Sequence, residues 1–299
     1  MIDVARPPER SNSSAEIGRS PAANRTTFSM LFPRRPLFSW RFELFPDSYG
    51  LDRASVWPGV RRAIERQQAQ DDLVLLVTHF PTTYFELQEL LDRWEIPHHV
   101  LRPGLNPADL PLRSVARNET GLREPAPVAL ALAEMLVADG GPIAIDRRRN
   151  VSVIVVERHP LSRHDLRLES FARRLPTRTR LGYFVALDDD AIGPFLGDWT
   201  LLLLDQFGMN RHELIVSDLI SRRLFRSRRR LERLVRDETP CDSPRRWLEH
   251  HLAAGREAEM VRRWFERREA EGRTTERDSH ASVVSRTSID DDDEESESD

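Results

Sequence analysis

The residues best suited to chemistry lie between residues 153 and 190, in the segment VIVVERHPLSRHDLRLESFARRLPTRTRLGYFVALDDD. His159 ends the triplet Glu-Arg-His, and Asp165 follows on a predicted helix that begins at Ser162. A histidine beside a carboxylate suits general acid–base chemistry, and the acidic run Asp188–Asp190 suits Mg²⁺. Simpler interpretations are favoured: a helix-start histidine bonded to backbone, and an acidic helix start that faces the macrodipole. The segment is therefore either a working catalytic loop or the outline of one that has lost its chemistry.

Two histidine pairs, His98-His99 and His250-His251, are the other candidate ligands. Adjacent residues on a strand point to opposite faces, and neighbours on a helix also diverge. Cys241 is the single cysteine, which excludes an internal disulfide and a cysteine-based metal cluster. No metal site is therefore predicted, and a single cysteine suits a reducing compartment.

The sequence contains no lysine, so all 45 basic residues are arginine. A phosphate loop of the type G-x-x-x-x-G-K-[ST] needs its lysine at the β- and γ-phosphates. These 299 residues therefore contain no such loop. Schiff-base chemistry on lysine is excluded for the same reason.

Charge is distributed unevenly along the chain. Residues 211–236 hold nine arginines against three acids, a balance of +6, whereas residues 273–299 hold three arginines against ten acids, a balance of −7. The basic segment predicts a face that contacts a protein partner, nucleic acid or an anionic membrane surface, with a solvated helix face as the equally weighted alternative. The candidate partner-binding residues are Arg222, Arg226, Arg229 and Arg230.

The elements that would position these residues alternate between strand and helix from about residue 56. Short continuous apolar runs are typical of strands buried on both faces, and strand–helix–strand repeats indicate a parallel sheet with helices on its faces. VALALAEMLVA is ambiguous between strand and helix. The predicted elements are helix VWPGVRRAIERQQAQ, strand DDLVLLVTHF, helix TTYFELQELLDRWE, strand IPHHVLRP, strand SVIVVE, helix SRHDLRLESFARRL, strand GYFVALD, and helices from WTLLLLDQFGM onward.

Helical spacing predicts which side chains face the core. In the second helix these are Phe85, Leu87, Leu90, Leu91 and Trp94. In the arginine-rich helix they are Leu219, Ile220, Leu224, Leu231, Leu234 and Val235. Ser243-Pro244 predicts the cap and first turn of a later helix.

The predicted organisation is a disordered segment and arm over 1–45, an α/β domain over 46–205, a helical extension over 206–272 and an acidic disordered tail over 273–299. The proline-broken stretch SMLFPRRPLFSWRFELFP is predicted to pack on the body, with a docking peptide as the alternative. No apolar run approaches the roughly 20 residues that cross a bilayer. The N-terminus lacks a secretory signal, so the expected location is the cytoplasm.

Three blocks, IPHHVL (96–101), ERHPLSRHD (157–165) and a segment that runs from Phe207 to Glu232, lie in order within residues 56 to 236. Together they resemble the SecA family, the motor ATPases of bacterial preprotein translocation. The sequence IPHHVL (96–101) resembles the family's I-P-H-x-V-L, and ERHPLSRHD (157–165) stands where the family has E-R-H-E-S-R-R-I-D. Phe207-Gly208-Met209, Ser221-Arg222 and Glu232 are in step with a third block. The resemblance implies a RecA-like fold, that of the second motor domain of SecA, followed by the start of its helical scaffold.

The chain departs from the family where the resemblance implies nucleotide contacts. Arg167 stands at the family's glutamine and Glu169 and Phe171 at two of its arginines, while Arg174 keeps the last. Because glutamate repels a triphosphate and phenylalanine cannot donate a hydrogen bond, most of the transition-state stabilisation is lost. The resemblance leaves Arg174, Arg167 and Asp165 as the remnant of a nucleotide cleft.

These observations predict a SecA-like protein without ATPase activity of its own. By the resemblance, its partner is full-length SecA, the translocon or a preprotein, and peripheral contact at the inner face of the membrane is an additional expectation. No cofactor is expected to be required, and ATP binding is an alternative expectation. The alternatives are an arginine-rich module that binds nucleic acid or an anionic surface, and half of an ATPase completed in trans.

Overall fold

The computed structural model describes residues 41–101, 128–137, 149–196 and 213–270, all within one compact unit, Phe38–Asp299. The predictions of a disordered N-terminus, a helix in WTLLLLDQFGM and an acidic disordered tail lie outside these residues. Among the described helices, none combines the length and apolarity needed to cross a membrane.

Seven strands form one sheet in which every strand pair is parallel. Its order is β1-β7-β6-β3-β5-β4, and β2 pairs with β7 beyond the end of β1. The α/β class with a parallel sheet is confirmed, and the arrangement is consistent with a RecA-like fold. The strands are β1 (Phe42–Leu44), β2 (Ser48–Gly50), β3 (Leu73–Thr78), β4 (His98–Val100), β5 (Val128–Leu132), β6 (Val151–Val155) and β7 (Thr179–Ala186).

Helices cover the two faces of the sheet and continue beyond it. They are α1 (Arg53–Ala69), α2 (Pro81–Arg93), α3 (Ala133–Val137), α4 (Ser162–Arg174), α5 (Gly193–Leu196), α6 (Asp218–Leu234), α7 (Pro244–His251) and α8 (256–270). Ser243 caps α7 by accepting from the amide of Arg246 at 3.3 Å, with Pro244 in the first turn, as predicted.

The central strands are apolar on both faces because each face has its own helical layer. On β3, Val74 and Leu76 pack with α1 and α2, whereas Leu75 and Val77 pack with α4 and α6 on the opposite face. A third apolar cluster joins the end of α6 to α7 and α8, with Trp247 at its centre. This cluster also contains Phe80, Leu161 and Phe195 of the α/β region. The extension therefore shares a core with the α/β region, and α6 also contributes side chains to the core of the sheet.

The segment VALALAEMLVA, which the sequence leaves ambiguous between strand and helix, contains both. VALAL is strand β5, and α3 begins at the next residue. The end of the predicted arm also differs, because Phe42–Leu44 forms strand β1 beside β7.

Three predicted core residues are wrong. Phe85 is 61% exposed because Thr83, Tyr84, Leu87 and Leu91 form the buried stripe of α2.

Leu219 and Leu234 are also wrong, with 56% and 52% exposed. The inward face of α6 is set by Ile220, Leu224 and Leu231, and it includes the buried Arg228.

Candidate functional site

The chemistry-bearing residues meet at the carboxyl ends of β3 and β6. Strands β4 and β5 lie on one side of β3, and β6 and β7 lie on the other, so the strand order reverses between β3 and β6. Ligands of open α/β sheets bind outside the carboxyl ends at such a reversal. His79 follows β3 here, and the Glu-Arg-His triplet follows β6.

The carboxylate of Glu157 occupies the start of α2 at this reversal. It accepts from the amides of His79 and Phe80 at 2.6 and 2.9 Å, and from the hydroxyl of Thr83 at 2.7 Å. A helix N-terminus is a ready anion site, and here the chain's own carboxylate fills it. Burial and the nearby Asp189 raise the pKa of Glu157 to about 7, while Arg53 and the hydrogen bonds oppose that rise.

The start of α4 is filled in the same way by Glu232 of α6. Its Oε1 accepts from the amide of Arg163 at 2.9 Å and from the hydroxyl of Ser162. The residue preceding the helix, Leu161, offers no side-chain cap. Glutamates from other elements therefore cap both helices that border the reversal.

A buried hub surrounds Asp165, which is 2% exposed. Its Oδ2 accepts from Arg158 at 2.8 Å and from Arg228 of α6, and its Oδ1 lies 2.8 Å from His79 Nε2. Burial alone would raise the pKa of Asp165, but Arg228 and Arg158 hold it well below its usual range. This carboxylate therefore joins the end of β6, α4 and α6.

The side chain of Arg158 contacts an aromatic ring and two carboxylates. Its guanidinium lies 3.3 Å from the centre of the Tyr183 ring and also pairs with Asp47. Removing the guanidinium would leave Asp47 and Asp165 without this positive partner. Arg158 is therefore a structural residue of the core.

The predicted cleft remnants lie on two sides of α4. Asp165 is buried, whereas Arg167 and Arg174 are exposed. The two arginines are seven residues apart, about two turns and roughly 10 Å along the helix, on the face opposite Asp165. The three residues do not converge, and a nucleotide role for Arg167 and Arg174 stays a prediction.

The departures from the family pattern have structural positions of their own. Phe171 is 5% exposed and belongs to the core of the sheet. Glu169 is half-buried and contacts Arg173 one turn away. Burial raises the pKa of Glu169, and Arg158 opposes that rise.

The acidic run forms ion pairs with basic side chains. Asp189 is buried, contacts Arg53 at 2.9 Å and accepts from the amide of Ala191 at 2.8 Å. Asp188 contacts Arg268 of α8 at 3.3 Å, and burial raises its pKa to about 6. These contacts fit the interpretation as a helix-start cluster.

The four arginines predicted to bind a partner are all exposed on α6. Arg230 contacts Glu257 at 3.3 Å, and Arg229 lies 5.7 Å from the ring of the exposed Phe225. Within the described parts of the chain, no carboxylate lies within ion-pair distance of Arg222 or Arg226. The outer face of α6 is therefore cationic and also exposes apolar side chains.

Sequence spacing did not indicate a cluster of three imidazoles, His79, His159 and His164, beside Glu238. The His159 ring centre is 5.4 Å from that of His79 and 3.8 Å from that of His164. His164 Nε2 lies 2.7 Å from Glu238 Oε2, across 74 residues of sequence. His159, His164 and Glu238 each offer a ligand atom, and these atoms lie within 4.8 Å of one another. No local motif could have signalled a contact at that separation.

The electrostatics of the cluster follow from burial. Burial, together with the neighbouring His79 and His164, lowers the pKa of His159 well below its usual value. Burial alone would raise the pKa of Glu238, but hydrogen bonds from His164 and Arg163 hold it far below its usual range. At neutral pH the cluster therefore pairs an uncharged His159 with an ionised Glu238.

Among characterised proteins, the chain is similar to the protein translocase subunit SecA 1 of Rhodopirellula baltica, with 30% identity over 101 residues. The match takes in 29% of this chain and spans 8% of that protein's length. It supports a distant SecA-like relationship. No protein-family model matches the chain.

Proposed function

We propose that this chain is a SecA-like protein that binds a partner of the preprotein-translocation machinery and does not hydrolyse ATP alone. The distant similarity to a protein translocase subunit supports the translocation setting. The observation that supports the absence of catalysis is that charged side chains at the carboxyl ends of the strands are bound to other groups of the protein. Glu157 caps α2, Arg158 and Asp165 form a buried pair, and Glu232 caps α4.

Charge at the carboxyl ends of the strands also favours this proposal. Catalysis of phosphoryl transfer needs positive groups aimed at the developing negative charge. In the described part of the site, a buried carboxylate stands at the helix N-terminus, and Arg53 already contacts Glu86 and Asp189. A phosphate that entered here would face the carboxylate of Glu157 at the position where it requires a hydrogen-bond donor.

The surface available to a partner is the outer face of α6. Its exposed arginines are accompanied by Leu219 and Phe225, which are 56% and 54% exposed. Arginine and aromatic side chains are enriched where proteins bind one another. This face offers charge for orientation and apolar area for affinity.

The first experiment measures nucleotide binding and hydrolysis by the full chain, alone and with full-length SecA from the same source. We expect no turnover by the chain alone, and in the mixture no turnover beyond that of full-length SecA by itself. Hydrolysis in the mixture that clearly exceeds that of SecA by itself would overturn the proposal in favour of an ATPase completed in trans.

The partner surface is tested by replacing Arg222, Arg226, Arg229 and Arg230 together with glutamine. We expect binding to SecA or the translocon to weaken at least 10-fold, since the outer face loses four charges. The matched control replaces Arg61, Arg62, Arg66 and Arg93, which are exposed on α1 and α2. Equal weakening by both sets would show that net charge alone governs binding.

A second candidate function is binding to nucleic acid or an anionic surface, which the same arginines favour. The two functions differ in their response to salt. A contact with phosphates weakens steeply between 50 and 200 mM salt, by roughly 10³-fold for six contacts. We expect binding to the protein partner to persist over that range, because the apolar side chains contribute to it.

A further inference from the structure

We propose that His159, His164 and Glu238 form a binding site for a divalent transition metal ion, with Zn²⁺ the best match. The proposal is independent of the proposed function, because the cluster contains none of the exposed arginines of α6. It rests on the positions of three side chains from two separate segments. His159 and His164 flank the start of α4, and Glu238 lies in the connection between α6 and α7.

The distances suit a small ion. His159 Nε2 lies 3.5 Å from Glu238 Oε1, and His164 Nε2 lies 2.7 Å from Glu238 Oε2. A tetrahedral zinc site with bonds of about 2.0–2.2 Å separates its ligand atoms by about 3.4 Å. The distance from His159 to Glu238 already fits this geometry. His164 needs to move away from Glu238 by less than about 1 Å to admit the ion.

The ligand types favour zinc among the common ions. Two imidazoles with one carboxylate form a known three-ligand zinc set that leaves a fourth position for water. Ca²⁺ and Mg²⁺ prefer oxygen ligands, which are in the minority here. Cobalt(II) takes the same ligands and geometry, and it therefore serves as a spectroscopic probe.

Neighbouring groups already hold two of the ligands in place, as outer-shell partners do in metal sites. The indole nitrogen of Trp247 donates to Glu238 Oε1 at 3.0 Å. The ring of Phe80 stacks on His159 at 5.2 Å between centres. His164 and Glu238 keep 26% and 18% of their side-chain surface exposed, which gives an ion a path from solvent.

Metal binding would break two hydrogen bonds that its ligands make in the structure. Arg163 donates to Glu238 Oε2 at 2.8 Å, and its side chain is 32% exposed. The ion must displace this guanidinium toward solvent. His159 Nδ1 accepts from the amide of Leu161 at 3.1 Å. Coordination through Nε2 moves the ring proton to Nδ1, so that one backbone hydrogen bond is lost.

An ion at this position would link the two parts of the molecule. Its histidines belong to the α/β region, and its glutamate belongs to the extension. Because an ion that binds only the folded state stabilises it by mass action, the link would appear as resistance to unfolding.

The test uses the full chain and the metal alone. Zn²⁺ is titrated while the unfolding temperature is followed, and Co²⁺ is titrated while visible absorption is followed. We expect Zn²⁺ to raise the Tm, and Co²⁺ to give the intense bands of a tetrahedral nitrogen–oxygen site. His164→Ala should weaken binding at least 100-fold, and Glu238→Gln at least 10-fold.

Arg163→Gln provides the sharpest variant because it changes affinity in the opposite direction. Removing the competing guanidinium should tighten metal binding several-fold while leaving all three ligands in place. The matched control is His99→Ala, which removes an exposed histidine on β4 and should leave binding unchanged. No Tm shift and no tetrahedral spectrum, or binding that survives both His164→Ala and Glu238→Gln, would overturn the proposal.

Discussion

The two faces of α6 use the same residue type in opposite ways. On the inner face, Arg228 is 6% exposed and pairs with Asp165 inside the protein. On the outer face, Arg222 and Arg226 are exposed, and no carboxylate of the described residues lies within ion-pair distance of either. One helix thus carries an arginine that stabilises the fold and arginines that remain available for binding.

The difference shows why charge alone did not reveal the roles of these residues. Composition groups nine arginines within 26 residues (211–236) as one basic segment. Burial separates them, because a charge in the interior is tolerated only with a partner and hydrogen bonds. The hub at Asp165 supplies that partner for Arg228 and for no other residue of α6.

The largest expected effect comes from making the same substitution on each face. Arg228→Ala should lower the free energy of unfolding by about 3 kcal/mol, because it breaks a buried ion pair and leaves Asp165 with less compensation. Arg222→Ala should change it by less than about 0.5 kcal/mol. Urea unfolding followed by circular dichroism measures both. Equal effects of the two substitutions would mean that the ion pair between Arg228 and Asp165 does not contribute to the free energy of unfolding.

An intermediate effect is expected at the buried carboxylate of Glu157. Its pKa of about 7 lies above the ordinary value of 4.5. Between those pH values the folded state binds more protons than the unfolded state, so that this group's contribution to stability falls as pH rises. Relative to Glu157→Gln, the natural chain should lose about 1–3 kcal/mol of unfolding free energy from pH 5 to pH 8.

The pH experiment compares urea unfolding of both proteins at the two pH values. Glu249→Gln, which changes an exposed residue of α7, serves as the control. A difference between the natural chain and Glu157→Gln that stays constant with pH would contradict the effect of burial.

The smallest effect on stability is expected on the outer face of α6, where binding should change instead. Replacing Arg222, Arg226 and Arg229 with glutamine should leave the unfolding free energy within about 0.5 kcal/mol per substitution. The variant should elute from a heparin column at clearly lower salt, because fewer counterions are released on binding. Replacement of Arg61, Arg62 and Arg66 on α1 provides the comparison. Unchanged elution of the α6 variant would place the polyanion contact elsewhere.

The central strands could be predicted because their residues face apolar layers on both sides. Continuous runs such as LVLLVT in β3 have few other uses in a chain of this length, and their burial follows directly. The arginine-rich segment is predicted as a helix and forms α6. Two of the six side chains predicted to face the core, Leu219 and Leu234, are exposed instead. Burial of Arg228 depends on Asp165, which lies 63 residues earlier, and no helical spacing contains that information.

The same limit explains the candidate site. The E-R-H triplet and Asp165 were visible as candidates, but their roles depend on His79, Glu232 and Glu238, which approach them only in the folded chain. Local patterns find residues that share an element, whereas this site joins β3, β6, α4 and the end of α6. Sequence therefore located the region and left its internal pairing undetermined.

The Asp165 hub also bears on how far this protein can be divided into modules. Helix α6 contributes Arg228 to the interior of the α/β region, and Glu232 completes the start of α4. A chain cut between these regions would leave an ionised aspartate short of a partner on one side and an uncapped helix beside it. Excision or grafting of the extension should therefore damage both pieces, and the smallest transplantable unit of this fold includes α6.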